Sequence, residues 1–164
     1  MNRLVPFFWL LCSGLLLAGG KKEQDIIVTF HLQGSSADGL KMSAPEMVAG
    51  GEVYFRRSPE VSTKDISSFR PFASNDGYSY GVVFLLNDIG RKRLTSVTNA
   101  SRRKLMLSRL NGRPLDVVEI DRTIDDGVLV IWQGVSTQEI AALDRMMPRI
   151  GETVKEWKEK KKNS

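Results

Sequence analysis

The segment Tyr78-Ser79-Tyr80-Gly81-Val82-Val83-Phe84-Leu85-Leu86 constrains this chain more than any other. Tyr78, Tyr80, Val82, Phe84 and Leu86 alternate on one face of an extended backbone, while Val83 and Leu85 line the other. A strand that is apolar on both faces has to be covered on both, so it belongs in the middle of a sheet. Asn87 and Asp88 follow it with side-chain oxygens suited to capping a helix. Gly90, Leu94 and Val97 then recur at helical spacing, which predicts a short amphipathic helix ending near Thr98 and Asn99.

The flanking segments build outward from that pair. Ile26 to Leu32 is a β-branched run closed by Gly34 and Ser35, and reads as a strand. Residues 35–51 show no clear period and read as a long connection; Val53, Tyr54 and Phe55 make a short strand. Thr63-Lys64-Asp65-Ile66 opens a helical turn, and Ser74 to Gly77 is turn chemistry. Residues 103–120 read as a hairpin around Asn111-Gly112, because both positions of the favoured two-residue turn need positive φ. Centred there, the register sets Leu110 against Arg113, Met106 against Val117, Leu105 against Val118 and Lys104 against Glu119. Pro114 lacks an N–H, so the second strand starts at an edge or a bulge. Asp125-Asp126-Gly127 is another turn, and Val128 to Trp132 a second buried strand with Trp132 in the core. Ser136 to Glu139 is a capping box for a helix that buries Ile140, Leu143 and Met147 and stops at Pro148.

The expected fold class is α+β: a small mixed or antiparallel sheet with two packed helices, in the order strand–helix–hairpin–strand–helix. It is laid out as a signal segment at 1–20, an N-terminal strand and extended region at 21–59, the α+β domain at 60–150, and a charged tail at 151–164 that frays. Residues 1–20 carry one charge, Arg3, then an apolar run from Leu4 to Ala18 and the small residues Gly19 and Gly20. That is the composition of a secretory signal peptide, with cleavage expected after Gly20. Cys12 follows Leu11, where a lipidation signal requires a small residue. An uncleaved membrane anchor is the alternative; the run falls a little short of the roughly 20 residues that span a bilayer. Either way the remainder is expected outside the cytoplasm, periplasmic or extracellular. Cleavage would remove the single cysteine, leaving no thiol chemistry, and Arg3, taking the formal charge from +5 to +4.

Few residues carry candidate chemistry. His31 stands alone, with neither a second histidine nor a remaining cysteine for a triad or a zinc site, and reads as an ordinary strand residue. No cofactor and no metal are implied. Glu119, Asp121, Asp125 and Asp126 are the acidic residues on which an envelope-polymer-acting enzyme would be built, although turn chemistry also accounts for Asp125 and Asp126. Between 89 and 115 the chain holds Arg91, Lys92, Arg93, Arg102, Arg103, Lys104, Arg109 and Arg113 and no acid. Of these, Arg91, Arg102, Arg103, Lys104, Arg109 and Arg113 are the candidate contacts for an anionic surface or a partner. Without interleaved aromatics, nucleic acid is excluded as that partner. Asn99-Ala100-Ser101 matches a glycosylation acceptor and reads as a helix end.

The succession Tyr80–Leu86, Gly90, Leu94, Thr98, Leu105–Leu110, Asn111-Gly112, Ile120, Ile124, Gly127, Ile131, Gly134 and Ser136–Leu143 resembles the head subdomain of the first periplasmic domain of SecD, in the SecDF protein-export family. Lys64-Asp65-Ile66 falls at that family's short polar-to-apolar entry, and the resemblance covers residues 60–148. It departs at Val117-Val118-Glu119, where SecD usually has a Ser-Ala-Pro step. It implies a free-standing exported counterpart of the head, without the membrane helices that couple SecD to proton flow. The implied role is contact with a protein or an envelope component rather than catalysis. The matched positions are turns and core residues, so they speak for fold more than for function.

Overall fold

The computed structural model describes residues 25–162, and the expected signal segment with Cys12 lies outside them. The elements in chain order are β1 Val28–Leu32, β2 Ser43–Val48, β3 Gly51–Arg56, β4 Val61–Ser62, β5 Ile66–Ala73, β6 Tyr80–Leu86, α1 Asp88–Ala100, β7 Leu105–Leu110, β8 Arg113–Glu119, β9 Val128–Val135, α2 Thr137–Met146 and α3 Val154–Lys162. Single 3-10 turns occupy Ser36–Asp38 and Thr63–Asp65. The fold class is α+β, with the strands distributed over three antiparallel sheets. Their orders are β4-β1-β7-β8, β5-β6-β9 and β2-β3.

β6 is the central strand its sequence demands, with Val82 and Phe84 fully buried and Val83 and Leu85 half-buried on the opposite face. Tyr78 lies before the strand and is 97% exposed, and Tyr80 is also exposed, set off from Val82 by a register shift, so the buried alternation begins only at Val82. β9 is buried on one face through Leu129, Ile131 and Val135; Trp132 points outward, 57% exposed, with its ring edge-on to Phe72. The expectation of a core tryptophan is thereby corrected: the strand alternates, and Ile131 took the inward position.

The inward faces of the four- and three-stranded sheets share one core with the helices. Phe30 of β1 meets Phe84 of β6 edge to face, ring centres 6.2 Å apart. Leu94 of α1 and Leu143 of α2 close the same cluster. Residues 26–32 therefore lie in one core with the elements from 61 onward. Asn87 caps α1 through the Gly90 N–H, and the Ser136–Glu139 capping box opens α2. After α2, Pro148 accepts from the Phe69 N–H and Ile150 donates to the Phe69 carbonyl, which covers the free edge of β5.

Two local features differ from the sequence-based expectations. The connection at 35–51 contains most of a hairpin, β2–β3, turning at Ala49 and Gly50, with positive φ at Gly50 and at Gly51, the first residue of β3. In the β7–β8 hairpin, Arg109 faces Pro114 but Ser108 faces Asp116, so Leu115 is bulged out and the register beyond it shifts by one. Met106 thus faces Val118, Leu105 faces Glu119, and the expected Lys104–Glu119 pairing is not made. The bulge sits beside Pro114, which has no N–H to continue the ladder. The charged tail, for which the sequence left a helix open, forms α3, anchored by the Trp157 indole N–H donating to the Asp144 carbonyl at 2.7 Å.

A glycine in a helix interior costs up to about 1 kcal/mol relative to alanine, so propensity alone favours Gly90→Ala. Here an added Cβ would lie 2.8 Å from both the Cβ and the carbonyl oxygen of Asp65. Overpacking of that kind costs about 1–3 kcal/mol and decides the sign. G90A is expected to lower the thermal midpoint; a variant that melts above the parent protein would contradict this packing.

Candidate functional site

The six basic candidates divide by what they touch. Arg91 lies 3.6 Å from Asp88 on its own helix. Arg109, on the outer face of the four-stranded sheet, is held by the Glu46 carboxylate of β2. Arg113 donates to Glu139 at 2.9 Å and to the Gly134 carbonyl at 3.1 Å, tying β8 to the start of α2. Burial alone would raise the Glu139 carboxyl; the Ser136 N–H and hydroxyl and the Arg113 guanidinium outweigh it and hold the group below its ordinary range. Arg102, Arg103 and Lys104 are all exposed and form no ion pair among the described residues.

These three side chains are displayed on a tight turn between α1 and β7. The Lys104 N–H donates to the Ser101 carbonyl at 3.2 Å, and the Arg103 N–H to the Ile120 carbonyl at 2.8 Å. Arg103 holds φ at +65°, a left-handed conformation that costs a non-glycine residue roughly 1–2 kcal/mol. The turn is therefore braced at both ends, with Ser101 buried beneath it. Lys104 also acts at a distance on Asp38, whose carboxyl is held low first by the Ser35 N–H and the Ser43 hydroxyl.

The acidic candidates do not converge on a cleft. Glu119 ends β8, Asp121 follows in the loop, and Asp125 and Asp126 stand before Gly127, all four exposed. Asp126 accepts from the Val128 N–H at 3.0 Å, which is turn chemistry. A cleft of about 170 Å³ does open between β8 and β9, but Phe30, Met106, Val118, Ile124 and Val130 line it and none of the four carboxylates does. Among the described residues no group of three or more His, Cys, Asp or Glu side chains is placed to hold a metal ion. None of the helices among those residues is long and apolar enough to cross a membrane.

Sequence reasoning missed the β2–β3 hairpin and with it Glu46, the partner of Arg109. The Gly50-Gly51 dipeptide was the available signal, masked by Pro45 and by the weak alternation of the strand around it. His31 lies beneath this hairpin, buried, with its Nδ1–H donating to the Arg56 carbonyl at 2.8 Å and its Nε2 accepting from the Thr29 hydroxyl at 2.9 Å.

No protein-family profile matches the chain, and no curated protein matches it in sequence. The described geometry defines an α+β domain with a displayed basic turn. In fold it is similar to SecDF. A structure described as "a membrane component SecDF that enhances protein export" aligns with a TM-score of 0.51 and 17% identity, over 73% of this chain and 60% of that one. A second, SecDF in a "super-membrane-facing form", aligns with a TM-score of 0.49 and 18% identity, over 70% of this chain and 17% of that one. The chain thus has a SecD-like fold, as its sequence resemblance implies, and it spans 60% of the first SecDF chain.

Burial holds the His31 imidazole below its ordinary pKa of 6.5, opposed by the Arg56 carbonyl and assisted by the charge of Arg109. The unfolded chain therefore takes up this proton more readily than the folded one. The His31 contribution is fully present above about pH 6.5 and is lost as pH falls below it. H31Q should flatten the decline of the urea midpoint between pH 7 and pH 5.5; equal slopes for parent and variant would exclude His31 as its source.

Proposed function

We propose that this chain is an exported, non-catalytic interaction module that contacts an acidic protein or cell-envelope partner through Arg102, Arg103 and Lys104. The observation that carries the reading is the turn itself, three adjacent exposed cations that form no ion pair among the described residues, on a backbone braced at both ends. Preorganised charge of this kind speeds and orients encounter with an oppositely charged surface more than it adds raw affinity. Arg91, Arg109 and Arg113 were expected at the same surface, but each already meets an internal carboxylate and so contributes less in this state. The apolar composition of residues 1–20 supports placement outside the cytoplasm, with the signal cleaved after Gly20 or kept as an anchor. The fold likeness to a component described as enhancing protein export is compatible with contact to proteins in that compartment. An enzymatic role built on Glu119, Asp121, Asp125 and Asp126 draws no support from their dispersed, exposed placement.

The test compares the exported protein with its R102E/R103E/K104E variant, both immobilised and exposed to envelope extract at low and at physiological ionic strength. A partner retained by the parent protein, lost by the variant and released by salt is the expected result. Identical captures would return the three charges to the solvated surface and overturn the reading.

A further inference from the structure

Arg109 lies on the strand that leaves the basic turn, yet its guanidinium is engaged by Glu46. The β2–β3 hairpin that carries Glu46 forms a two-stranded sheet of its own and reaches across the outer face of β7 and β8 as an arm. Its base is well fixed. Phe55 is fully buried, Gln33 and Phe55 form a bridge, and the Gly34 N–H donates to the Tyr54 carbonyl at 2.8 Å. Its outer half is held differently. Between the tip and the sheet lies an open groove of about 340 Å³, bordered by Met47 and Val48 above and Leu107, Pro114 and Val117 below. The Glu46–Arg109 pair crosses at this groove, its side chains only 22% and 19% exposed, while Met47 beside it is 77% exposed. A two-stranded hairpin is marginally stable by itself. The Glu46–Arg109 pair is therefore a charge-assisted contact that ties the outer half of the arm to the sheet beside this groove.

We propose that the arm is autoinhibitory, with Glu46 acting as an internal substitute for a partner carboxylate on Arg109. The proposal rests on the reading of the basic turn as a partner contact and adds the regulation of that surface. With the arm lifted, the outer face of β7 and β8 presents Arg109 together with Leu107 and Val117, and the turn cations stand just before the start of β7 at the other end of the strand. Lys104 and Arg109 are separated by about 17 Å along an extended strand. The occupant that fits is an acidic peptide in extended conformation, with carboxylates near both ends and apolar side chains in the middle.

The experiment uses the exported protein and a labelled synthetic peptide with glutamates flanking a valine–leucine centre of about five residues, a length set by the strand rise. E46Q should bind it about tenfold more tightly, the scale of one charge-assisted hydrogen bond. Amides of residues 43–56 should exchange faster in E46Q than in the parent protein, while those of β6 keep their protection. Adding R109Q to E46Q should remove the gain in affinity but keep the faster exchange. Unchanged or weaker binding by E46Q, or a gain that survives R109Q, would overturn the proposal. Loss of binding in R102E/R103E/K104E together with no gain in E46Q would sink the arm and spare the turn. Undiminished binding by that triple variant would sink the reading of the turn, and the autoinhibitory arm with it.

Discussion

Phe30 and Phe84 bring together two sheets that share no ladder hydrogen bonds. Phe30 belongs to the first described strand and Phe84 to the central strand of the other sheet, and both rings are essentially inaccessible. An edge-to-face aromatic pair contributes about 0.5–1.5 kcal/mol beyond the burial of its area. Its larger consequence is geometric. Leu94 of α1, Met106, Ile131 and Leu143 of α2 belong to the same buried cluster, so α1 and α2 pack on the core that the two rings share. Asp65 makes the second junction. Its buried carboxylate accepts from the Ser62 N–H and from Arg93, and its carbonyl accepts from the Asn87 N–H, which pins the start of α1 to the β4–β5 turn. A buried carboxylate costs several kcal/mol unless fully partnered, and these contacts supply the partners.

The surface follows from that core. The outward side chains of β1 and β7, Thr29, His31, Leu107 and Arg109, are buried or half-buried and face a second layer instead of open water. The β2–β3 arm supplies the layer, tightly at Phe55 and loosely toward Glu46. The basic turn escapes cover because it precedes β7, beyond the end of the ladder. Charges read as one cluster in the sequence thus separate into an exposed group and several engaged ones, and the separation comes from packing rather than from spacing along the chain.

The likeness to SecDF is one of fold. A fold shared at 17% identity carries strand order and packing, whereas chemistry resides in side chains that such a fold can exchange freely. The displayed basic turn and the arm over its neighbouring strand belong to the side chains of this chain, and the functional reading stands on them.

Where hydrophobic periodicity and turn chemistry are local, the sequence alone determined the outcome. Val82 and Phe84 had to be buried, Asn87 and Ser136 had to cap helices, and Asn111-Gly112 had to turn, because each depends on residues within a few positions of itself. The register beyond Pro114 escaped it, since a bulge at Leu115 depends on how β8 meets the rest of the fold. Trp132 escaped for a similar reason: alternation says that one of Ile131 and Trp132 faces inward, and only the opposing layer chose Ile131. The candidate site was half legible. Its basic residues were visible as composition, but which of them stay unpaired depends on Glu46 and Glu139, brought up from segments far away in the chain. Electrostatic partnership acts through space, and no spacing along a chain encodes it until the sheets have closed.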